Sequence, residues 1–194
     1  MNFKIENVEI YGINKSIISS GNAMRTVMDD NSKQPSDKDL QRAIKLANTE
    51  TGAGHDNFLN GIIVQFDLYA PLYMWKQIQR YHFLDFISSQ STMHRLAKFK
   101  VSECCVEDTD EVILARYQVL LDEYNNLVEK DNKKWRTLVA SLPCGFVLGA
   151  TMTTNYRQLK TIYHQRKNHK LDEWKDFCKW IESLPKSELI IGEK

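Results

Sequence analysis

None of the four cysteines, Cys104, Cys105, Cys144 and Cys178, stands in a C-x-x-C pair. The adjacent Cys104 and Cys105 have a poor spacing for a metal or a disulfide. Reduced thiols in a cytoplasmic protein, with no metal site, are the expectation. No apolar run approaches the length of a membrane span, and the opening MNFKIENVEI carries charges where a secretory leader needs an apolar stretch. No membrane partner is expected. Charge of one sign is also lacking: 26 basic residues face 25 acidic ones. The net charge of +1 gives no global pull toward nucleic acid or an anionic surface. There is no G-x-G-x-x-G, which argues against a Rossmann-type dinucleotide site. Internal repeats, low-complexity tracts and linkers are missing too, so residues 1–194 read as one domain.

What is present is ordinary for a globular chain. The 194 residues are 42% hydrophobic and 26% charged, enough for a sizeable core. Val8 to Ile13 reads as a first strand and Ser19 to Met28 as a short helix, followed by a polar loop from Asp29 to Pro35. Ser36 with Asp39 three residues on is an N-terminal helix signal, and Leu40, Ala43, Ile44 and Ala47 form its stripe. Thr51-Gly52-Ala53-Gly54 ends that helix. Ile62 to Tyr69 is the clearest strand, with Val64, Phe66 and Leu68 on one face and Gln65, Asp67 and Tyr69 on the other.

Residues 96–108 read as irregular. Asp108 to Glu129 is expected to be a helix burying Ile113, Tyr117, Leu120, Leu121, Tyr124 and Leu127. A second helix runs from Lys133 to Leu142, ending before Pro143, and Phe146 to Thr153 alternates as a strand. Asn155 is placed to cap a helix carrying Leu159, Ile162 and Tyr163. Trp174, Phe177, Cys178 and Ile181 mark the last helix, and the tail from Pro185 reads as frayed or used in assembly. The fold class is α+β.

The densest chemistry lies between Ala70 and Arg95, APLYMWKQIQRYHFLDFISSQSTMHR. Pro71 suits a first helical position. Leu72, Trp75, Ile78 and His82 follow at helical spacing, and Gln77, Arg80 and Tyr81 fall on a neighbouring face. Taken alone, this is an amphipathic helix with a polar rim. Ser88, Ser89, Gln90, Ser91, His94 and Arg95 follow it, side chains that bind phosphates, amides and ring edges.

The sequence resembles the signature of flavin-dependent thymidylate synthases, a Gln, then Arg-His-Arg, then a Ser-x-Arg element. The matching residues are Ala70-Pro71, Gln77, Arg80-Tyr81-His82 and a Ser-rich segment ending in Arg95. His55 precedes Ala70-Pro71 at the spacing of that family's flavin-contacting His. Leu142-Pro143, Asn155-x-Arg157 and Arg166 follow in the family's order. The resemblance implies a single domain with a small, mostly antiparallel sheet packed with several helices. It also implies a homotetramer that methylates dUMP to dTMP, with FAD as cofactor, methylenetetrahydrofolate as carbon donor and NADPH as reductant. Carried over residue by residue, His55, Arg80, Tyr81, His82, Asn155 and Arg157 contact the flavin, and Lys170 stands where the family has a His near it. Gln77, Ser91, Arg95 and Arg166 are assigned to the nucleotide, Ser91 and Arg95 by their order alone and Arg166 as the catalytic residue facing the uracil. Because Gly149 offers no cation where the family has an arginine, Arg95, helped by Ser91 and Gln77, is expected to hold the phosphate.

Other positions depart from the family. Tyr81 and His82 replace His and Arg, Thr161 replaces an Asn, and Gly149 replaces an Arg that reaches the nucleotide phosphate. The segment from Asp85 to Arg95 is longer, and the family's Glu has no match there. These departures keep three alternatives open. One is a transferase of another one-carbon unit to a pyrimidine nucleotide. Another is an inactive paralogue. The third is an anion- or nucleic-acid-binding module using Lys160, His164, Arg166, Lys167, His169 and Lys170, although such runs are usually solvated helix faces.

Overall fold

The computed structural model of the chain describes residues 3–28, 33–50 and 53–192. The expected loop at 29–32 and helix stop at Thr51-Gly52 lie outside them. Strand β1 spans Lys4–Tyr11, earlier than expected, and helix α1 spans Ile13–Ser19. Gly12 sets this boundary. It sits at φ +80, and a Cβ there would lie 2.3 Å from the Gly61 carbonyl oxygen, so only glycine fits the corner. The expected helix over 19–28 is instead the end of α1 and a short 3-10 turn at Asn22–Met24, because α1 buries Ile17 and Ile18 from an earlier start.

Helix α2 (Asp37–Ala47) begins in a full capping box. The Ser36 hydroxyl accepts from the Asp39 N–H, and the Asp39 carboxylate accepts from the Ser36 N–H at 3.0 Å. Strand β2 (Ile63–Pro71) keeps the expected alternation: Val64, Phe66, Leu68 and Ala70 are buried and the residues between them half-open. Pro71 is the last residue of that strand and flanks the next helix rather than opening it. Helix α3 (Leu72–Ile78) is two turns long, so Arg80, Tyr81 and His82 lie past its end and share no helical face with Gln77. Phe83, at φ +62, then turns the chain into β3 (Asp85–Ser89).

Helix α4 spans Thr92–Arg95; the span expected to be irregular after it holds a 3-10 turn at Leu96–Lys98 and a short helix, α5 (Val101–Cys104), and a bridge pairs Cys105 with Phe146. Helix α6 (Glu111–Asn125) is shorter than expected because the Asp110 carboxylate caps it, accepting from the N–H groups of Val112 and Ile113. It buries Tyr117 and Leu121, while Ile113 is exposed. Helix α7 spans Asn132–Ala140, β4 Val147–Asn155, α8 Tyr156–Arg166, α9 Asp172–Ser183 and α10 Glu188–Ile191. The tail is packed, not frayed: Leu189 and Ile190 are buried, and Tyr156 donates its hydroxyl hydrogen to the Pro185 carbonyl.

The four strands form one antiparallel sheet in the order β1-β2-β4-β3, and with ten helices among the described residues the class is α+β. The chain divides into two compact units. The first comprises Met1–Glu6, Asp67–Arg80 and Phe86–Thr151, the second Asn7–Phe66, Tyr81–Asp85 and Met152–Lys194. The first has a core of Leu96, Val101, Tyr117, Leu121, Leu138 and Phe146. In the second, Phe66 packs on Phe177 and Trp180, and Trp174 and Ile181 are fully buried. No helix among the described residues is long and apolar enough to cross a membrane. The cysteines are free, with Cys104, Cys105 and Cys178 buried, and no described cluster could hold a metal ion.

Candidate functional site

Two groups of polar side chains stand out, one in each unit. In the second unit, α8 carries Arg166 at its last residue. The Arg166 Nε–H donates to the Tyr81 hydroxyl at 2.6 Å, and Tyr81 donates to the Gln165 side-chain oxygen at 3.1 Å. The guanidinium lies 4.7 Å from the Trp174 ring centre and 5.4 Å from that of Tyr81. Trp174 is fully buried, so this cation rests on a fixed apolar plate and gains cation–π attraction. His169 stands beside the same tryptophan. Burial first, and then the nearby Arg166 charge, hold its imidazole below the usual histidine range.

At the other end of α8, the Asn155 side chain accepts from the Gln158 N–H at 2.8 Å, the helix-cap role its spacing suggested. One turn on, Arg157 and Lys160 both pair with Asp56, at 3.3 and 3.0 Å. Lys160 also donates to the Ala47 carbonyl. Asp56 directly follows His55, so the pairing brings His55 and Arg157 to one neighbourhood. The basic run is therefore not one open face, since Lys160 is mostly buried and Arg166 is held by aromatics. His55, Arg80, His82, Arg95 and Lys170 are exposed and make no side-chain bond to another described residue.

In the first unit, Gln77 is half-buried on α3. Ser91 caps α4: its hydroxyl accepts from the His94 N–H and lies 2.9 Å from His94 Nδ1, while Arg95 is exposed at the end of that helix. The space above Gly149 is taken not by Arg95 but by Tyr69 and Gln90. A Cβ on Gly149 would lie 2.7 Å from Tyr69 Cε1 and 3.3 Å from Gln90 Oε1, and that oxygen accepts the Gly149 N–H at 2.8 Å. Around them is a cavity of about 310 Å³, lined by Asp67 and Tyr69 of β2, Ser88, Ser89 and Gln90 at the end of β3, and Gly149, Ala150 and Thr151 of β4. Thr151 donates to the Asp67 carboxylate at 2.6 Å. An apolar annex of about 190 Å³ shares Ser89, Gln90, Gly149 and Ala150 and is walled by Leu72, Trp75, Phe86 and Leu148.

The sequence signals marked Trp174 only as part of the last helix, gave Asp56 no role, and named Ser88, Ser89, Gln90 and Gly149 without joining them in one cavity. Asp56 adjoins a chosen residue, and Asp67 and Tyr69 stand on the face of their strand opposite Val64, Phe66 and Leu68. Only the cross-strand register shows what they meet.

No protein-family model matches the chain, and no curated protein does. Solved structures do. Two crystal structures of the flavin-dependent thymidylate synthase ThyX from Helicobacter pylori, with FAD and dUMP, match 98% of this chain and 98% of theirs, with TM-scores of 0.70 and 0.73 at 16% identity. The UMP/dUMP methylase PolB from Streptomyces cacaoi, bound with 5-Br dUMP, matches 93% of this chain and 88% of its own, with a TM-score of 0.66 at 15% identity. The chain has the fold of these proteins.

Proposed function

We propose that this chain is a cytoplasmic, flavin-dependent enzyme, one domain over residues 1–194, that methylates dUMP to dTMP. Arg166 carries the reading: a guanidinium bonded to Tyr81 and seated on Trp174, in a chain whose fold and motif order both follow flavin-dependent thymidylate synthases. Negative charge builds on the uracil carbonyl region as its C5 becomes nucleophilic. A cation fixed in advance stabilises that charge without reorganising when the reaction occurs. Tyr81 and Trp174 are the residues that fix it.

The residues present suit a flavin dinucleotide in kind. Arg157 and Arg80 supply cations for a diphosphate, while His55, Tyr81, His82, Asn155 and Lys170 supply ring and amide contacts. Bound FAD would supply the redox chemistry, with methylenetetrahydrofolate giving the carbon and NADPH the reducing equivalents. The nucleotide falls to Gln77, Ser91 and Arg95, whose exposed guanidinium fork matches two phosphate oxygens. A nucleic-acid partner is disfavoured, because the basic run of α8 is partly turned inward.

A second reading changes only the pyrimidine nucleotide. Gly149 stands where the synthases have an arginine, and the chain also shares its fold with a UMP/dUMP methylase.

Denaturing the purified protein and filtering it should release FAD, and titrating the apo form with FAD should give saturable flavin quenching. Absence of both ends the flavin reading. UMP turned over faster than dUMP would favour the second.

A further inference from the structure

One carboxylate of the second unit serves two cations that differ in depth. Asp56 Oδ1 lies 3.3 Å from Arg157 Nε, and Asp56 Oδ2 lies 3.0 Å from Lys160 Nζ. The side chain of Lys160 is 12% exposed and that of Asp56 15%, whereas that of Arg157 is 39% exposed. Lys160 also donates to the carbonyl of Ala47, the last residue of α2. It is the fixed partner, because an ammonium this deep would be left uncompensated without Asp56, a costly state. With Lys160 balancing the carboxylate, the charge of Arg157 is left for a third group. The geometry agrees. Asp56 meets the guanidinium at its Nε edge, and the two terminal nitrogens bond to no other described residue. Those nitrogens can donate side by side to two phosphate oxygens. A side chain already aimed loses less freedom when the ligand arrives.

We propose that Asp56 and Lys160 are positioning residues for a bound diphosphate: Lys160 fixes and neutralises Asp56, and Asp56 aims the open end of Arg157 at the ligand. The inference rests on the flavin reading for the identity of that ligand, and it deepens it. Arg157 is not sufficient by itself; the acid–base pair behind it sets how tightly the diphosphate is held.

FAD binding to the full-length apo protein, followed by flavin quenching, tests this. The double variant Asp56→Ala/Lys160→Met loses one charge of each sign, so the net charge is kept and the aim of Arg157 is lost. Its FAD affinity should fall about tenfold. The same two changes made in an Arg157→Ala protein should cause no further loss. A pairing that only held the loop in place would weaken FAD in both backgrounds. Asp56→Asn covers the case of a double variant that does not fold. A single amide oxygen replaces two carboxylate oxygens and cannot serve both cations. FAD affinity should then fall several-fold although the site has become more positive. The proposal is overturned if either variant binds FAD as well as the unmodified protein or better, as it would if Asp56 merely competed with the ligand. It is also overturned if the further loss persists without Arg157. ADP separates this failure from that of the flavin reading. ADP binding that depends on these three residues, with no FAD binding, would refute the flavin cofactor and leave the positioning role standing. FAD bound equally by every variant would do the reverse.

Discussion

Arg166 gives its Nε–H to the Tyr81 hydroxyl at 2.6 Å, across 85 positions of sequence. The bond joins the last residue of α8 to the turn after α3, two places that helical spacing treats as unrelated. With the Trp174 ring 4.7 Å from the guanidinium, Arg166 is held by both a bond and a face.

If this arginine meets the reacting uracil, Arg166→Ala should lower the rate at saturating dUMP by roughly a hundredfold or more, with a smaller effect on dUMP affinity. Tyr81→Phe removes the phenol oxygen but keeps the ring, and should cost about three- to tenfold in rate. Steady-state kinetics of the FAD-loaded variants decide this. A near-normal rate for Arg166→Ala would assign it another role.

The contact between Gly149 and Tyr69 predicts a coupled pair. Gly149→Ala puts a methyl 2.7 Å from a ring carbon and should destabilise by about 1–3 kcal/mol. Tyr69→Ala in the same chain should recover much of that loss, a non-additivity that a double-mutant cycle in urea would reveal. Additive costs would mean that the ring moves aside freely.

At the start of α2, Ser36→Ala should cost about 1 kcal/mol, a fall in melting temperature of roughly 2–4 °C. The Ser36 hydroxyl, then Arg42, then the Ser36 N–H hold the Asp39 carboxyl down at about 2. Its folded value is depressed, so its contribution is complete above about pH 4, the unfolded value, and is lost as the pH falls toward 2. Asp39→Asn should therefore flatten the decline of the urea midpoint between pH 4 and pH 2. An unchanged slope would place the acid sensitivity elsewhere.

Assembly is the fourth test. The candidate flavin contacts come from separate segments, and the family that the chain resembles completes each site with several subunits, so a homotetramer is expected. Light scattering should report four chains at micromolar concentration, with FAD favouring that state by mass action. A monomer both with and without FAD would refute it.

Local pattern revealed some of this molecule well. The alternation from Val64 to Leu68 and the Ser36–Asp39 pair each specify their element, because one face or one turn meets its partner locally. The limits came where distant residues decide. The helix after Pro71 had the spacing to continue through His82, yet it stops at Ile78, and Tyr81 turns to an arginine far along the chain. In α6, Val112, Ile113 and Val119 are apolar and exposed while Tyr117 and Leu121 are buried. With apolar residues on more than one side, periodicity could not choose the buried stripe. Asn155 was legible as a helix cap, but the Asp56 that holds Arg157 was not, since ion pairs across loops leave no periodic trace. The cleft around Gly149 depends on which residues of β2, β3 and β4 stand side by side.

The close approach of Tyr69 to Gly149 also limits what position 149 can become. No arginine can stand there while the tyrosine ring keeps its present position, since even the first carbon of a side chain would crowd it. A larger residue would meet an occupied seat, so the ring must yield first. The two positions therefore behave as a latch, in which the neighbour's ring holds position 149 to the smallest residue.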